Sequence, residues 1–447
     1  MGRCCTRCHE TDRPPVVRLG RGAALCAACL ASLVEGRFRH ALTVARGGRF
    51  APPPALLLLS YDGRPAAVAA RLMLARAEAA RAHLLSTGAP ASAAGPPAIG
   101  LYVDSSALLL APAAGSPAAE SVVARPADAL AAAAERWDGV PLVALRLSAL
   151  WRTEGRWERA AVMADGAAPT AAGLDPGAWL ARFCAALDDG DADGTPNDDD
   201  DGDGDGEEEE EAEGRGRRAD VVAAVAAACR TLSALEDLAA SLQRHLLLRV
   251  AEALRRRVAA PLVVLLPDDA DAVGRAVVGG TARGRRLFLA AAAAEVALWS
   301  DDASAADAPA MALCRPLART TARELAVYLR LQGVDRAFPF VPSLATGRAR
   351  TDSIDALVAD FLARLQGEHE QTLPTLGRMA ERMRDAAPLR RAALCPLCLL
   401  SARPDAAEDA AGRRRSPSAN NPLCNGCKAT LEETAVLSIP FPPCISI

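Results

Sequence analysis

The sequence predicts an α/β protein with a doubly wound sheet, flanked at each end by a four-cysteine metal module. Three observations carry this. Short, continuous apolar runs alternate with helical stretches, which is the mark of buried parallel strands joined by crossover helices. Cys5, Cys8, Cys26 and Cys29 form one double Cys-x-x-Cys set near the N-terminus, and Cys395, Cys398, Cys424 and Cys427 form a second near the C-terminus. Between the two halves of the α/β pattern lies an acidic tract that cannot build a core.

The elements follow in order. Residues 1–48 read as a small module in which two cysteine knuckles enclose a short strand over 16–19. A basic helix follows through Leu33, Arg37, Phe38, Arg39 and Leu42. A piece this short needs a metal to hold itself together. Residues 49–187 form the first part of the α/β domain. Its strands are expected at Ala55–Leu59, Ile99–Val103 and Pro141–Arg146, with helices over 65–84 and 127–136. A ligand in such a fold sits at the carboxyl ends of the strands.

Residues 188–218 are an Asp/Gly tract, five consecutive glutamates and then arginines, expected to be a disordered insertion. Asp199, Asp201, Asp203, Gly204 and Glu210 satisfy a calcium-loop expression, but Gly206 stands where an apolar residue should pair with a second loop. A solvated linker is the better reading. Residues 188–213 carry sixteen carboxylates, and removing them takes the net charge from −4 to +12. The remainder is basic and rich in arginine, which suits a polyanionic partner such as RNA.

Residues 219–385 resume the α/β pattern. Leu232, Leu235, Leu238, Leu242, Leu246, Val250 and Leu254 make a helical stripe, with His245 read as an ordinary helix-face histidine. A buried strand is expected over 261–266 and a last one over 310–317. Helices then run through Glu324 and Tyr328, and from a cap at Asp352 or Ser353 through Phe361 and Leu365. Residues 386–447 hold the second metal module.

Two Cys-x-x-Cys turns bring four sulfurs into a tetrahedron, and structural zinc is the expected occupant at both ends; redox dithiols and an iron–sulfur cluster are the alternatives. Cys4 precedes Cys5 directly, but Cys5 gives the two-residue spacing. Cys184, Cys229 and Cys314 sit in apolar or helical contexts as buried thiols, and the five histidines show no ligand spacing. The first strand is followed by Ser60, Tyr61, Asp62, Gly63, Arg64 and Pro65. A Gly-rich turn at this place cradles phosphates. Here a double glycine is missing and Tyr61 adds bulk, so a plain β-α turn is the default reading, with Ser60 and Gly63 the residues of a vestigial nucleotide loop if one stood here, and no catalytic residue is assigned. The cysteine usage, the absence of an apolar N-terminal run and the absence of a long apolar segment predict a reducing, cytoplasmic location without a membrane span.

These pieces together resemble the cytoplasmic tRNA 2-thiolation protein 2 family. The likeness is carried by the first cysteine set leading into Arg37, Phe38 and Arg39; by Tyr102, Val103 and Asp104; by Arg230 through Glu236, Leu238, Leu242 and His245; by Arg315, Pro316 and Leu317 with Glu324 and Tyr328; by Ser353 through Phe361 and Gln366; and by Leu394–Cys398 and Leu423–Cys427. The resemblance implies a degenerate PP-loop (adenine nucleotide alpha hydrolase-like) domain between two zinc ribbons. It implies a non-catalytic subunit that pairs with a catalytic PP-loop paralogue. That pair would thiolate C2 of the wobble uridine in the tRNAs for Lys, Glu and Gln, with ATP and sulfur from a ubiquitin-like carrier. Arg37 and Arg39 are the expected tRNA phosphate contacts, and ATP binding by this chain is doubtful because a Ser-Gly-Gly is absent. A zinc-ribbon adaptor outside RNA modification, and an independently active ATP-dependent thiolase, are the competing readings.

Overall fold

In a computed structural model, the structure describes residues 5–9, 14–19, 23–46, 54–90, 95–105, 108, 140–165, 176–188, 221–285, 294–300, 311–334, 350–382, 389–390, 394–400, 423–434, 441–443 and 445. The acidic tract beyond Asp188, the calcium-loop residues, the helix expected over 127–136, Cys4 and Cys444 lie outside them.

The chain opens with a hairpin of β1 (Val17–Leu19) and β2 (Ala23–Leu25), then α1 (Ala27–Arg46). β3 (Leu56–Tyr61), α2 (Pro65–Ser86), β4 (Ala98–Asp104) and β5 (Leu142–Arg146) build the first half of the sheet. Four helices follow: α3 (Glu154–Asp165), α4 (Pro176–Asp188), α5 (221–228) and the long α6 (Leu232–Val258). The second half consists of β6 (Leu262–Leu265), α7 (Ala270–Ala282), β7 (Val296–Ser300), β8 (Met311–Cys314) and α8 (Ala322–Leu331). α9 (Ile354–Glu368), α10 (Thr372–Arg382), β9 (Leu389–Arg390) and α11 (Asn425–Glu432) complete it.

The main sheet runs β5-β4-β3-β6-β8-β7-β9. β5, β4, β3, β6 and β8 are mutually parallel, and β7 is antiparallel to β8. The strands expected over 55–59, 99–103, 141–146, 261–266 and 310–317 are all present. β7 and β9 were not expected. β7 lies at the end of an apolar run that reads only as hydrophobic, and β9 has two residues, too short for any pattern to show.

The connection order reverses at β3, from which β4 and β5 lie to one side and β6 and β8 to the other. Such a switch point opens a crevice at the strand carboxyl ends. Alternate strand residues serve opposite faces, because side chains along a strand point up and down in turn. Leu56 and Leu58 of β3 and Leu262 and Val264 of β6 pack with α3 to α6 on one face. Leu57, Leu59, Val263 and Leu265 pack with α1, α2 and α8 on the other.

The two cysteine sets divide between these faces. Cys5 and Cys26 belong to the α1/α2 face, whereas Cys395, Cys398, Cys424 and Cys427 all belong to the α6 face. Each terminal module therefore covers one side of the same sheet. α1 is also tied across its layer by polar bonds. Arg37 pairs with Glu324 at 3.1 Å, Arg76 pairs with Glu35 at 2.6 Å, and Tyr328 donates to Glu35 at 3.0 Å. Glu324 closes a capping box with Thr321 at the start of α8.

Candidate metal centres and the switch-point crevice

Both cysteine sets are assembled in the same way. In the first pair of each, the residue just after the second cysteine takes a left-handed backbone: His9 at φ 58° and Leu399 at φ 52°. Each turn is closed by the same bond, from His9 N to Cys5 O at 2.9 Å and from Leu399 N to Cys395 O at 2.9 Å. Non-glycine residues pay a steric cost there, so something must hold the turn. The second pair of each set lies in the first turn of a helix. Leu30 N bonds to Cys26 O and Lys428 N to Cys424 O, both at 3.0 Å. The modules are thus a strained knuckle set against a helix N-terminus, and only the N-terminal one encloses a described hairpin. Helix N-termini favour anionic thiolates.

The sulfurs converge. Within each set of four, the Sγ atoms lie within 4.8 Å of one another. Cys8 and Cys26 approach to 3.8 Å, and Cys398 and Cys424 to 3.9 Å. A tetrahedron with zinc–sulfur bonds of about 2.3 Å has edges of about 3.8 Å. A single tetrahedral ion therefore fits both sets, whereas a multi-iron cluster spreads its ligand sulfurs further apart. All eight are free thiols rather than disulfides.

Crowding divides their proton affinities. Backbone N–H groups of Cys8 and Cys26 lower Cys5 to about 6, against its desolvation. Burial, followed by bonds from Cys26, Cys5 and Cys8, pushes Cys29 up to about 12. At the C-terminal set, bonds from Cys398, Cys424 and Cys427 draw Cys395 far down, while Cys395, Cys398 and Cys424 push Cys427 far up. Without a cation, four such sulfurs cannot all ionise together; a bound divalent ion removes that conflict.

The surroundings of the two centres differ. All four C-terminal cysteines are buried, whereas Cys8 and Cys29 of the N-terminal set are half-buried. Arg244 donates to Cys398 O at 2.7 Å, and His245 Nε2 lies 3.0 Å from Leu397 O. His245, 1% exposed, is thus a support of the knuckle rather than an ordinary helix-face residue. Arg285 and Asp237 form a buried ion pair alongside, and Thr430 of α11 donates to Asp237 at 2.7 Å. Burial works against the charge on Arg285, but Asp237 outweighs it and holds the guanidinium above its ordinary range. No sequence signal marks Arg244, Arg285 or Asp237, which are far from either cysteine pair along the chain.

At the switch point, Ser60, next to the last residue of β3, is half-buried, and Gly63 turns the chain at φ 76°. Part of the helix start that would receive a phosphate is already used. Arg64 N donates to Asp62 Oδ1 at 3.0 Å, and Pro65 has no N–H. Burial raises the Asp62 carboxyl above its usual range; Arg64 opposes this and Asp268, after β6, adds to it. Tyr102 is pushed up to about 12 by burial and then by Asp104 and Asp62. Carboxylates thus gather where phosphate oxygens would lie. Arg37 is held by Glu324, and Arg39 is exposed with its Nε donating to Glu35 O at 3.3 Å. Cys184, Cys229 and Cys314 are buried.

Fold and site together define a mostly parallel α/β protein whose sheet is covered on each face by a four-cysteine module. No family model matches the chain. It is 30% identical over 171 residues to cytoplasmic tRNA 2-thiolation protein 2 of Bos taurus, covering 38% of this chain and 31% of that protein. It is 30% identical over 186 residues to the protein of that name from Homo sapiens, covering 40% and 33%. The matched region thus spans about a third of the length of these curated relatives. Over that region the chain is similar to the cytoplasmic tRNA 2-thiolation protein 2 family. A solved structure of the U34-tRNA thiolase NcsA from Methanococcus maripaludis, with its 4Fe-4S cluster, aligns over 90% of this chain and 93% of that one. Its TM-score is 0.47 and its identity 12%. Among the described residues, no helix is long and apolar enough to cross a membrane.

Proposed function

We propose that this chain is a non-catalytic subunit of a cytoplasmic tRNA thiolase. The kinship with tRNA 2-thiolation proteins carries the reading, and the switch-point crevice supports the non-catalytic part of it. In that crevice the Arg64 N–H is taken by Asp62, and Pro65 offers no donor. Ser60 and Gly63 are then the remnant of a nucleotide loop that no longer receives ATP.

In this reading the chain pairs with a catalytic PP-loop paralogue, which adenylates and thiolates the wobble uridine of the tRNAs for Lys, Glu and Gln. Sulfur reaches that paralogue from a ubiquitin-like carrier. Zinc is held by Cys5, Cys8, Cys26 and Cys29, and by Cys395, Cys398, Cys424 and Cys427. In each set it would neutralise crowded thiolates and fasten the module to its sheet face. Arg39, exposed on α1, offers its charge to tRNA phosphates more freely than Arg37, which Glu324 engages.

The test is the 2-thiouridine content of bulk tRNA from cells lacking the protein. Loss restored by the wild-type gene supports the reading, and unchanged thiolation refutes it. Binding of ATP by the isolated chain would refute the non-catalytic assignment while leaving the pathway intact.

A further inference from the structure

We propose that Arg244 and Arg285 are charge-compensating, positioning residues of the C-terminal four-cysteine centre, and that they make it retain metal longer than the N-terminal centre. The inference rests on the metal reading of both sets.

Four thiolates around a divalent ion leave two net negative charges, and burying them is costly unless cations or donors answer. The C-terminal centre is buried on all four cysteines. Two consecutive residues of α6 grip two consecutive carbonyls of its knuckle: Arg244 holds Cys398 O at 2.7 Å, and His245 meets Leu397 O at 3.0 Å. From the other side Arg285 lies against the helix-borne pair. A Cβ on Gly426, between Cys424 and Cys427, would stand 2.7 Å from both Cγ and Nε of Arg285. That Nε is buried and has no hydrogen-bond partner, although both terminal nitrogens of the same guanidinium bond Asp237.

Carboxylates pair with two of the arginines near the centre but not with the third. Asp237 is shared by Arg285 and Arg283, and Arg283 also pairs with Asp355 at 2.9 Å. Among the described residues Arg244 has no carboxylate partner. Glu236 also neighbours Arg283, so the carboxylates gather about Arg283 and Arg285, while Arg244 is the guanidinium that faces the knuckle carbonyl. At the N-terminal centre the counterpart is Arg7, exposed, donating to Cys29 O at 3.3 Å, where solvent screens its charge.

The experiment uses the full-length protein loaded with zinc, with release to a chromogenic chelator followed in time. A Cys5→Ser variant identifies the phase that belongs to the C-terminal centre. Wild-type protein is expected to release two equivalents in two phases, the slow one C-terminal. Arg244→Met should speed the slow phase by roughly 10- to 100-fold and leave the fast phase unchanged. Arg244→Lys, which keeps the charge, should restore most of the retention; Arg244→Gln, which keeps a donor but no charge, should not. An unchanged slow phase in Arg244→Met, or Gln restoring as well as Lys, overturns the proposal. If Arg244→Met does not fold, the Lys and Gln variants decide between them. Wild-type protein that binds no metal overturns the metal reading itself.

Discussion

Placing a methyl group on Gly426 tests whether the C-terminal centre is fitted to the arginines behind it. In Gly426→Ala the new Cβ would lie 2.7 Å from Cγ and Nε of Arg285 and 2.8 Å from the carbonyl oxygen of Arg283. The arginine side chain is pinned by Asp237, and the carbonyl is backbone, so neither yields cheaply. Helix propensity alone favours alanine by about 0.5–1 kcal/mol. Overpacking a tight site costs roughly 1–3 kcal/mol, so the clash should win, with a net loss of about 1–2 kcal/mol. The displaced element is the turn between two metal ligands, so metal affinity should fall with stability. Urea denaturation with and without excess zinc, together with zinc stoichiometry, measures both. A variant as stable as wild type that retains two zinc ions would refute the close packing of Arg285 on the knuckle.

Gly36→Ala is the matched control. It lies in the middle of α1 with nothing within 4 Å of the added Cβ, so the same change should stabilise by about 0.5–1 kcal/mol, seen as a higher denaturation midpoint. Glu324→Ala removes the capping box of α8 and the partner of Arg37; a loss of roughly 1–2 kcal/mol is expected, and an unchanged midpoint would show that neither the capping box nor the Arg37 pair stabilises the fold. Asp269 caps α7, and burial, opposed by its bond to Ala272 N, raises its pKa from 3.8 to about 6. The folded state thus binds this proton more tightly, so the stability it supports is full below pH 3.8 and is lost as pH rises through about 6. The shift corresponds to roughly 3 kcal/mol. Asp269→Asn keeps the cap and should flatten stability across that window; an identical slope by urea denaturation would rule out Asp269 as its source.

The local features of this chain were legible because their causes are local. Cys-x-x-Cys fixes two sulfurs on one turn whatever lies beyond it. The apolar run Leu56–Leu59 declares a buried strand, and the stripe from Leu232 to Leu254 declares α6. The sequence offers Asp352 or Ser353 as the cap of α9, and it is the Ser353 side chain that accepts from Ala356 N. The carboxylate at Asp62 was visible in the sequence, but its use of the Arg64 N–H was not, because that depends on how the turn at Gly63 closes.

Which face each module covers could not be read, since a strand that is apolar at every position carries no period to say which residues point where. The supports of the C-terminal centre from Asp237 to Arg285 lie some 110 to 190 positions before its cysteines along the chain. His245 looked ordinary because its partner, the Leu397 carbonyl, is a backbone atom that any sequence would supply. The sequence by itself determined the two cysteine sets, the five parallel strands and the long helices α1, α2 and α6, because each is set by neighbours in the chain. Only the tertiary structure decided how the two modules divide the sheet and which buried charges answer the thiolates, because those depend on packing between surfaces that no local pattern encodes.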